Sequence, residues 1–306
     1  MTNWIDLTNF AIVISGVTVS ILGFLLALAI PYTEKWHRRF FITFFALLIA
    51  YTGSDLLSQI SLVFGEPEFG FLSQAAVFSE SLFSSILMPL LTLYLLHCCG
   101  EDWHKNRILY LTGGGWLLYF LLLVITQFTT KIYYFTDNVY HRGTWYPVLL
   151  VPPAFLMILN LIALFQKRRL LSKQNRRALM IYLLIPLLCI LFQMWFYGLL
   201  LIVIGTSVAA LIMFLFILTE QMDRYVRQKE EIANQQANIR ILQMRPHFIY
   251  NTMTSIYYLC QQDPEKAQQA ILDFNSYLRK NLTAIVKAEA IPFAEELEHA
   301  RAYLAI

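Results

Sequence analysis

Charge is scarce in this sequence: 14% of its 306 residues are Asp, Glu, Lys or Arg, while 58% are hydrophobic. A soluble domain carries about 25% charged residues, so a water-soluble globule is excluded and a polytopic membrane protein is the direct reading. Cysteine is scarce as well. Cys98, Cys99, Cys189 and Cys260 fall inside apolar runs or on the side of them read below as cytosolic, which leaves no extracellular disulfide framework. No His/Cys spacing of a metal site occurs. No Lys or Arg precedes the first apolar run, and that run is too long for the core of a signal peptide, so it reads as a retained first span. The net charge of +3 is small; in a membrane protein the placement of the basic residues carries the information, and no nucleic-acid partner is expected.

Apolar windows of the roughly 20 residues needed to cross about 30 Å of hydrocarbon as a helix fall near 10–30, 40–63, 73–97, 108–127, 147–165, 179–197 and 199–219. The sequence therefore predicts an all-α membrane protein with a seven-span sensor bundle over residues 1–219. The boundary near Tyr197-Gly198 leaves almost no loop and also fits a re-entrant or tilted segment. Lys35, Arg38, Arg39, Lys105, Arg107, Lys167, Arg168, Arg169, Lys173, Arg176 and Arg177 occupy one set of alternate loops, against Lys131 and Arg142 in the other. The positive-inside rule then predicts an N-terminus outside and a C-terminus in the cytoplasm. Aromatic residues crowd the outer loop from Tyr133 to Tyr146, Trp145 included, as expected of side chains anchored at the headgroup level.

Ionisable residues inside spans are costly and point to function. Asp55 in the second span and Glu80 in the third each lie about eight residues from the outer boundary, which puts them at similar depth in the outer leaflet at about 1.5 Å per residue. Gln59, Gln74, Gln193 and Trp195 are predicted at comparable or shallower levels. Together they suggest a polar pocket open to the outside for an extracellular ligand of unknown identity, and two acids among aromatics favour a cationic or amine-bearing one. The same residues would also serve as interhelical hydrogen bonds that hold the bundle together.

After Thr219 the composition turns abruptly to charged and Gln-rich, with no helix breaker before Pro246. Residues 220–243 read as a signalling helix continuing the seventh span. A heptad alignment puts Leu218, Tyr225, Ile232 and Ile239 at one seam position but Met222, Lys229, Gln236 and Gln243 at the other, so half of a coiled-coil seam is apolar. That fits a weakly specified dimer seam able to shift register, or a solvated linker helix. Two further helices are predicted over 244–290, joined at Gln261-Gln262-Asp263-Pro264, where Asp263 can cap and Pro264 suits the first helical position. Ile249, Met253, Ile256 and Cys260 recur at helical spacing on the first, and Ala267, Ala270, Ile271, Phe274, Tyr277, Leu278 and Ile285 on the second. A short connection makes the two antiparallel neighbours, and a dimeric four-helix bundle would bury both apolar faces. At 100° per residue His247 lies about 160° from Ile249 and about 40° from Asn251, so His247 and Asn251 share the polar side.

The string Leu242-Gln243-Met244-Arg245-Pro246-His247-Phe248-Ile249-Tyr250-Asn251 resembles the phosphoacceptor box of bacterial sensor histidine kinases of the LytS/YesM type, in which Pro-His-Phe precedes an Asn four residues after the His. The resemblance continues through Tyr277-Leu278-Arg279, Glu296-Leu297-Glu298 and Tyr303-Leu304-Ala305-Ile306, covering the last 65 residues. It implies that His247 takes phosphate from ATP, with Mg, and passes it to an aspartate on a response regulator receiver domain. Asn251 would orient the imidazole, the phosphoryl group or an attacking water. An imidazole of ordinary pKa suits the role, being largely neutral in the cytosol and nucleophilic. Two positions depart from the familiar patterns. Phe248 stands where many other histidine kinases carry an acidic residue, which rules out base assistance from there. Arg245 replaces the usual Asn before the Pro, and its guanidinium either holds phosphate or faces solvent. Pro246 is expected to bend the helix just before the acceptor.

The resemblance implies a homodimer in the bacterial inner membrane. The Asn-containing and Gly-rich boxes of an ATP-binding lobe would come next, with residues 291–306 starting the connection to it; this chain alone is expected to bind no cofactor. Other seven-span readings fare worse. The Asp-Arg-Tyr at 223–225 follows the last span, whereas a G-protein-coupled receptor carries it at the inner end of the third, and Leu199 to Thr219 offers no lysine for retinal. A transporter is the more serious rival, because Gly113-Gly114-Gly115 and Pro152-Pro153 are candidates for broken helices.

Overall fold

The computed structural model describes residues 4–30, 34–64, 70–101, 106–136, 139–195, 199–242, 246–287 and Leu297. The apolar runs all form helices: α1 (Trp4–Ala29), α2 (Lys35–Phe64), α3 (Gly70–Cys98), α4 (Arg107–Thr126), α5 (Tyr146–Gln166), α6 (Lys173–Trp195) and α7 (Leu201–Leu242). Each is long and apolar enough to cross a bilayer, and in hydrocarbon a helix is the form in which one segment satisfies its own backbone. The protein is a multi-pass, all-α membrane protein. Two short strands interrupt the helices, β1 (Tyr133–Thr136) and β2 (Val139–Arg142), paired antiparallel with Tyr133 opposite Arg142. The expected aromatic loop is thus a β-hairpin. Gly143 closes its base: its N–H donates to the Ile132 carbonyl at 2.8 Å, and a Cβ there would stand 2.1 Å from the Lys131 carbonyl oxygen.

Contacts divide the chain after Asp223. The first unit is built on aromatic packing: Phe41, Phe44 and Phe45 of α2 meet Tyr94 of α3, Tyr182 of α6 and Phe214 of α7, all buried. Small residues let α1 approach closely. Gly16 lies against Val203, Gly23 against the ring of Phe45, and Ser20 donates to Ser207 at 3.1 Å, the small-residue and hydroxyl pairing by which helices associate in lipid. Large side chains such as Leu22, Leu117, Leu121, Ile158 and Leu188 point outward, which suits lipid. A second cluster joins Tyr119 and Leu123 of α4, Ile132, Tyr133 and Leu149, so the β-hairpin is seated on α4 and α5.

The helix ends are set by local chemistry. α3 stops at Gly100, whose φ of 69° only glycine adopts readily, with the Glu101 N–H reaching back to the Leu96 carbonyl at 3.2 Å. Asn106 caps α4 through Oδ1, accepting from the Ile108 N–H at 2.9 Å. Glu101 pairs with Lys167 and accepts from Asn106, tying the turn after α3 to the one after α5. The Gly113–Gly115 run and the Pro152-Pro153 pair both lie inside continuous helices. The helix breaks that the rival transporter reading requires are absent there: one helix spans each run, and Pro152 and Pro153 sit in the second turn of α5.

The second unit holds α8 (Pro246–Gln262) and α9 (Pro264–Lys287). Asp263 separates them as anticipated, its Oδ1 accepting from the Lys266 N–H at 3.2 Å, with Pro264 opening α9. Thr252 and Ile256 of α8 are buried with Ala267 and Phe274 of α9, and the Phe248 ring sits 5.1 Å from that of Tyr277, so the helices run antiparallel. Pro246 opens α8 rather than bending it from within, where its missing N–H costs nothing. The hinge expected just before it falls on 243–245, outside the described residues.

Candidate functional sites

The first site lies between α2 and α3. Ser61 and Ser73 share a hydrogen bond of 2.6 Å, and Phe40 packs on Tyr94 with ring centroids 4.4 Å apart, which fixes the antiparallel register. Asp55 is six residues before Ser61 and Glu80 seven after Ser73, or about 9 and 10.5 Å along their axes. The two carboxylates therefore stand at one level, within Coulombic reach of each other. Asp55 is 1% exposed; Gln59, one turn on, hydrogen-bonds its carboxylate, yet Oδ2 is buried with no hydrogen-bond partner among the described residues. Glu80 is half-buried.

The other residues singled out from sequence are distributed differently. Gln74 donates to Gln127 Oε1 at 3.1 Å, and Gln127 donates onward to the Tyr133 hydroxyl at 2.7 Å. This chain ties α3 to the β-hairpin instead of serving the acids. Gln193 and Trp195 lie in the last turn of α6, and their side chains are outside the described residues. Three tyrosines that sequence reasoning missed belong to the acid site: Tyr51, one turn before Asp55; Tyr119, bonded to Ser81 and within reach of Glu80; and Tyr182 of α6, near Tyr51 and fully buried with a hydroxyl that has no hydrogen-bond partner. Only Tyr51, at helical spacing from Asp55, left a sequence signal. At the hairpin, burial pushes the Tyr133 hydroxyl above its ordinary pKa, against its hydrogen bonds with Thr126 and Gln127, with a smaller upward push from the charge of Glu80.

The second site is the start of α8. His247 is its second residue and Asn251 stands one turn later, exposed. The His247 side chain, like all of Arg245, falls outside the described residues. Phe248, at the position where base assistance was ruled out, is half-buried against Phe274 and Tyr277. It holds the first turn of α8 onto α9, and so positions the backbone of the neighbouring histidine. The predicted apolar stripe divides in two. Ile256 is buried and Ile249 half-buried, while Met253 and Cys260 are exposed beside Tyr250 and Tyr257. The correction follows from Phe248 and Thr252, which take the inner positions and rotate the packed face by about 60°, at about 100° per residue, leaving the rest of the stripe uncovered.

Among the described residues no group of three or more His, Cys, Asp or Glu could hold a metal ion, and the glycine run at 113–115 is helical.

Residues 216–306 match the histidine kinase family. Among curated proteins the chain is similar to the sensor histidine kinase BtsS of Escherichia coli, 32% identical over 83 residues, 27% of this chain and 14% of that protein. It is also similar to the sensor protein LytS of Bacillus cereus, 38% identical over 74 residues, 24% of this chain and 12% of the relative. For the LytS of Oceanobacillus iheyensis the identity is 34% over 92 residues, 29% and 16% of the two chains. The chain thus spans between 12% and 16% of the length of these relatives.

Proposed function

We propose that this chain, which over residues 216–306 belongs to the histidine kinase family in its LytS type, is the receptor and phosphoacceptor part of a two-component sensor in a bacterial inner membrane. The carrying observation is the family match over a segment in which a Pro-His-Phe-x-x-Asn box opens the first helix of a hairpin. Residues 1–219 receive the signal, 220–243 transmit it, 244–290 accept phosphate and dimerise, and 291–306 lead toward an ATP-binding lobe. The loop charges support an N-terminus outside and a C-terminus in the cytoplasm. ATP with Mg would be the phosphoryl source, held outside the described residues.

In this reading His247 contributes its imidazole nitrogen as acceptor, Asn251 orients it, and Arg245 is a candidate phosphate contact. Phosphoryl transfer asks for positioning and charge neutralisation more than for covalent help, and the seating of Phe248 supplies positioning. An aspartate of a response regulator receives the group next. The exposed Met253, Tyr257 and Ile271 support a homodimer. Burial contributes about 1.5–3 kcal/mol per large side chain, and two copies cover six, comparable with the roughly 4–15 kcal/mol that association costs. Asp55 and Glu80, with Gln59, form the signal-receiving site; Gln74, Gln193 and Trp195 are candidates at its margin.

The test supplies an ATP-binding lobe, in cis or in trans, with labelled ATP. Acid-labile label is expected on the wild-type chain and absent from His247→Gln. Label of equal amount on the variant would sink the assignment.

A further inference from the structure

Among the described residues, no basic side chain is recorded within reach of the two carboxyl groups between α2 and α3. Between Arg39 and Lys105 the sequence contains no Lys or Arg, and elsewhere in the bundle these residues stand at helix ends, in the connecting turns and at Arg142 of β2, whose guanidinium lies 4.6 Å over the Tyr146 ring. Among the described residues, the titratable groups recorded within reach of the pair are tyrosines. Tyr51 lies on α2 itself, Tyr119 on α4, Tyr182 on α6 and Tyr133 on the β-hairpin. α1 carries a single titratable group, Asp6, in its first turn, and α7 carries none from Leu201 to Thr219. Tyr146, at the start of α5, is near Tyr119.

Two ionised carboxylates at one level of a low-dielectric bundle repel each other and lose their hydration, and among the described residues only the Gln59 hydrogen bond to Asp55 offsets part of that cost. The buried Asp55 Oδ2 has no hydrogen-bond partner among the described residues, so one oxygen of the pair is left for a proton. The seating of the β-hairpin on the same end of α3 and α4, through Gln74, Gln127 and Tyr133, puts an ordered cover beside it. We infer that Asp55 and Glu80 hold a single proton between them, so that the species this site binds is a proton and the bundle senses acidity on its β-hairpin side. Uptake turns a doubly negative pair into a singly negative one, and release restores the repulsion between α2 and α3. This rests on the reading of the bundle as the receiving part only for its signalling consequence; the shared proton stands on the site alone.

The experiment is infrared difference spectroscopy of the chain in lipid nanodiscs, with aspartate isotopically labelled at the side-chain carboxyl carbon. A protonated-carboxyl band is expected at neutral pH, part of it moved by the label, absent from the double variant Asp55→Asn/Glu80→Gln, and unaffected by sodium or tetramethylammonium. A wild-type spectrum without that band, or a band that either cation abolishes, would overturn the proposal, the second result making this a cation site. Because labelling reads the wild-type protein, misfolding of a variant does not blunt the test. A second arm follows His247 phosphorylation against pH in the full-length protein. A shift of about one pH unit, tenfold in proton activity, is expected in each single variant. An unchanged profile with the band present would leave the shared proton standing and remove the pair from signal reception.

Discussion

In the seven-helix unit, polar groups are mostly tied to one another: Ser20 to Ser207, Ser61 to Ser73, and Thr92 to Asn160 and Thr112. In the α8–α9 hairpin the reverse problem appears, because Tyr250, Met253, Tyr257, Ile271 and Leu272 stand exposed next to a helix end rich in Gln, Glu and Lys. Outward leucines on the bundle suit lipid; the same exposure on a helix pair with charged neighbours calls for protein. Among the described residues each unit is thus marked by its exceptions, buried polar atoms such as Asp55 Oδ2 and the Tyr182 hydroxyl without a hydrogen-bond partner in the apolar unit and an exposed apolar stripe in the polar one. Function is proposed at both exceptions.

The largest effect is expected where the comparison is inverted. Met253→Lys with Tyr257→Lys puts like charges into the uncovered stripe and should weaken dimers by roughly a hundredfold or more, since like-charge contacts cost several kcal/mol. Light scattering in mild detergent reads the dimer fraction, and unchanged dimers would place the interface elsewhere. Next comes Gly23→Leu in the bundle. The fully buried ring of Phe45 stands 2.2 Å from where a Cβ would sit, so thermal unfolding should show a loss of about 1–3 kcal/mol.

These two predictions also mark what the sequence made legible. Hydropathy and charge placement gave seven spans, because length and apolar content are one-dimensional signals. The matched depth of Asp55 and Glu80 was legible for the same reason, but their shared level depends on the Ser61–Ser73 register, which no single helix encodes. The stripe of Ile249, Met253, Ile256 and Cys260 has a true helical period, yet a period does not say which partner each part meets. Phe248 and Thr252 decided that, and Thr252 is invisible to an apolar count. The β-hairpin was missed because its aromatics equally fit headgroup anchors, although the two-residue Asp137-Asn138 spacer between β-prone runs is a hairpin signature.

Smaller effects sharpen the contrast. Asn160→Leu removes the acceptor of Thr92, leaving three helices with one bond fewer, and should cost about 1 kcal/mol in detergent melts; no change would mean that Thr112 substitutes fully. The smallest effect belongs to Asp263. Hydrogen bonds from the Lys266 side chain and backbone hold its carboxyl below the ordinary aspartate range. A depressed folded-state pKa contributes stability that is complete above the ordinary value and is lost as pH falls through the lowered one. Asp263→Ala should therefore lower the melting temperature of the hairpin at neutral pH and converge with wild type in acid; a difference independent of pH would contradict a capping role for the ionised carboxylate.

The most direct measurement is to map phosphate on the wild-type chain by mass spectrometry under alkaline handling, after incubation with ATP and an ATP-binding lobe. Phosphate on His247, with none on His37, His97 or His141, is the predicted result. Phosphate on another residue while His247 stays unmodified would contradict the assignment of α8 as the output of the membrane bundle.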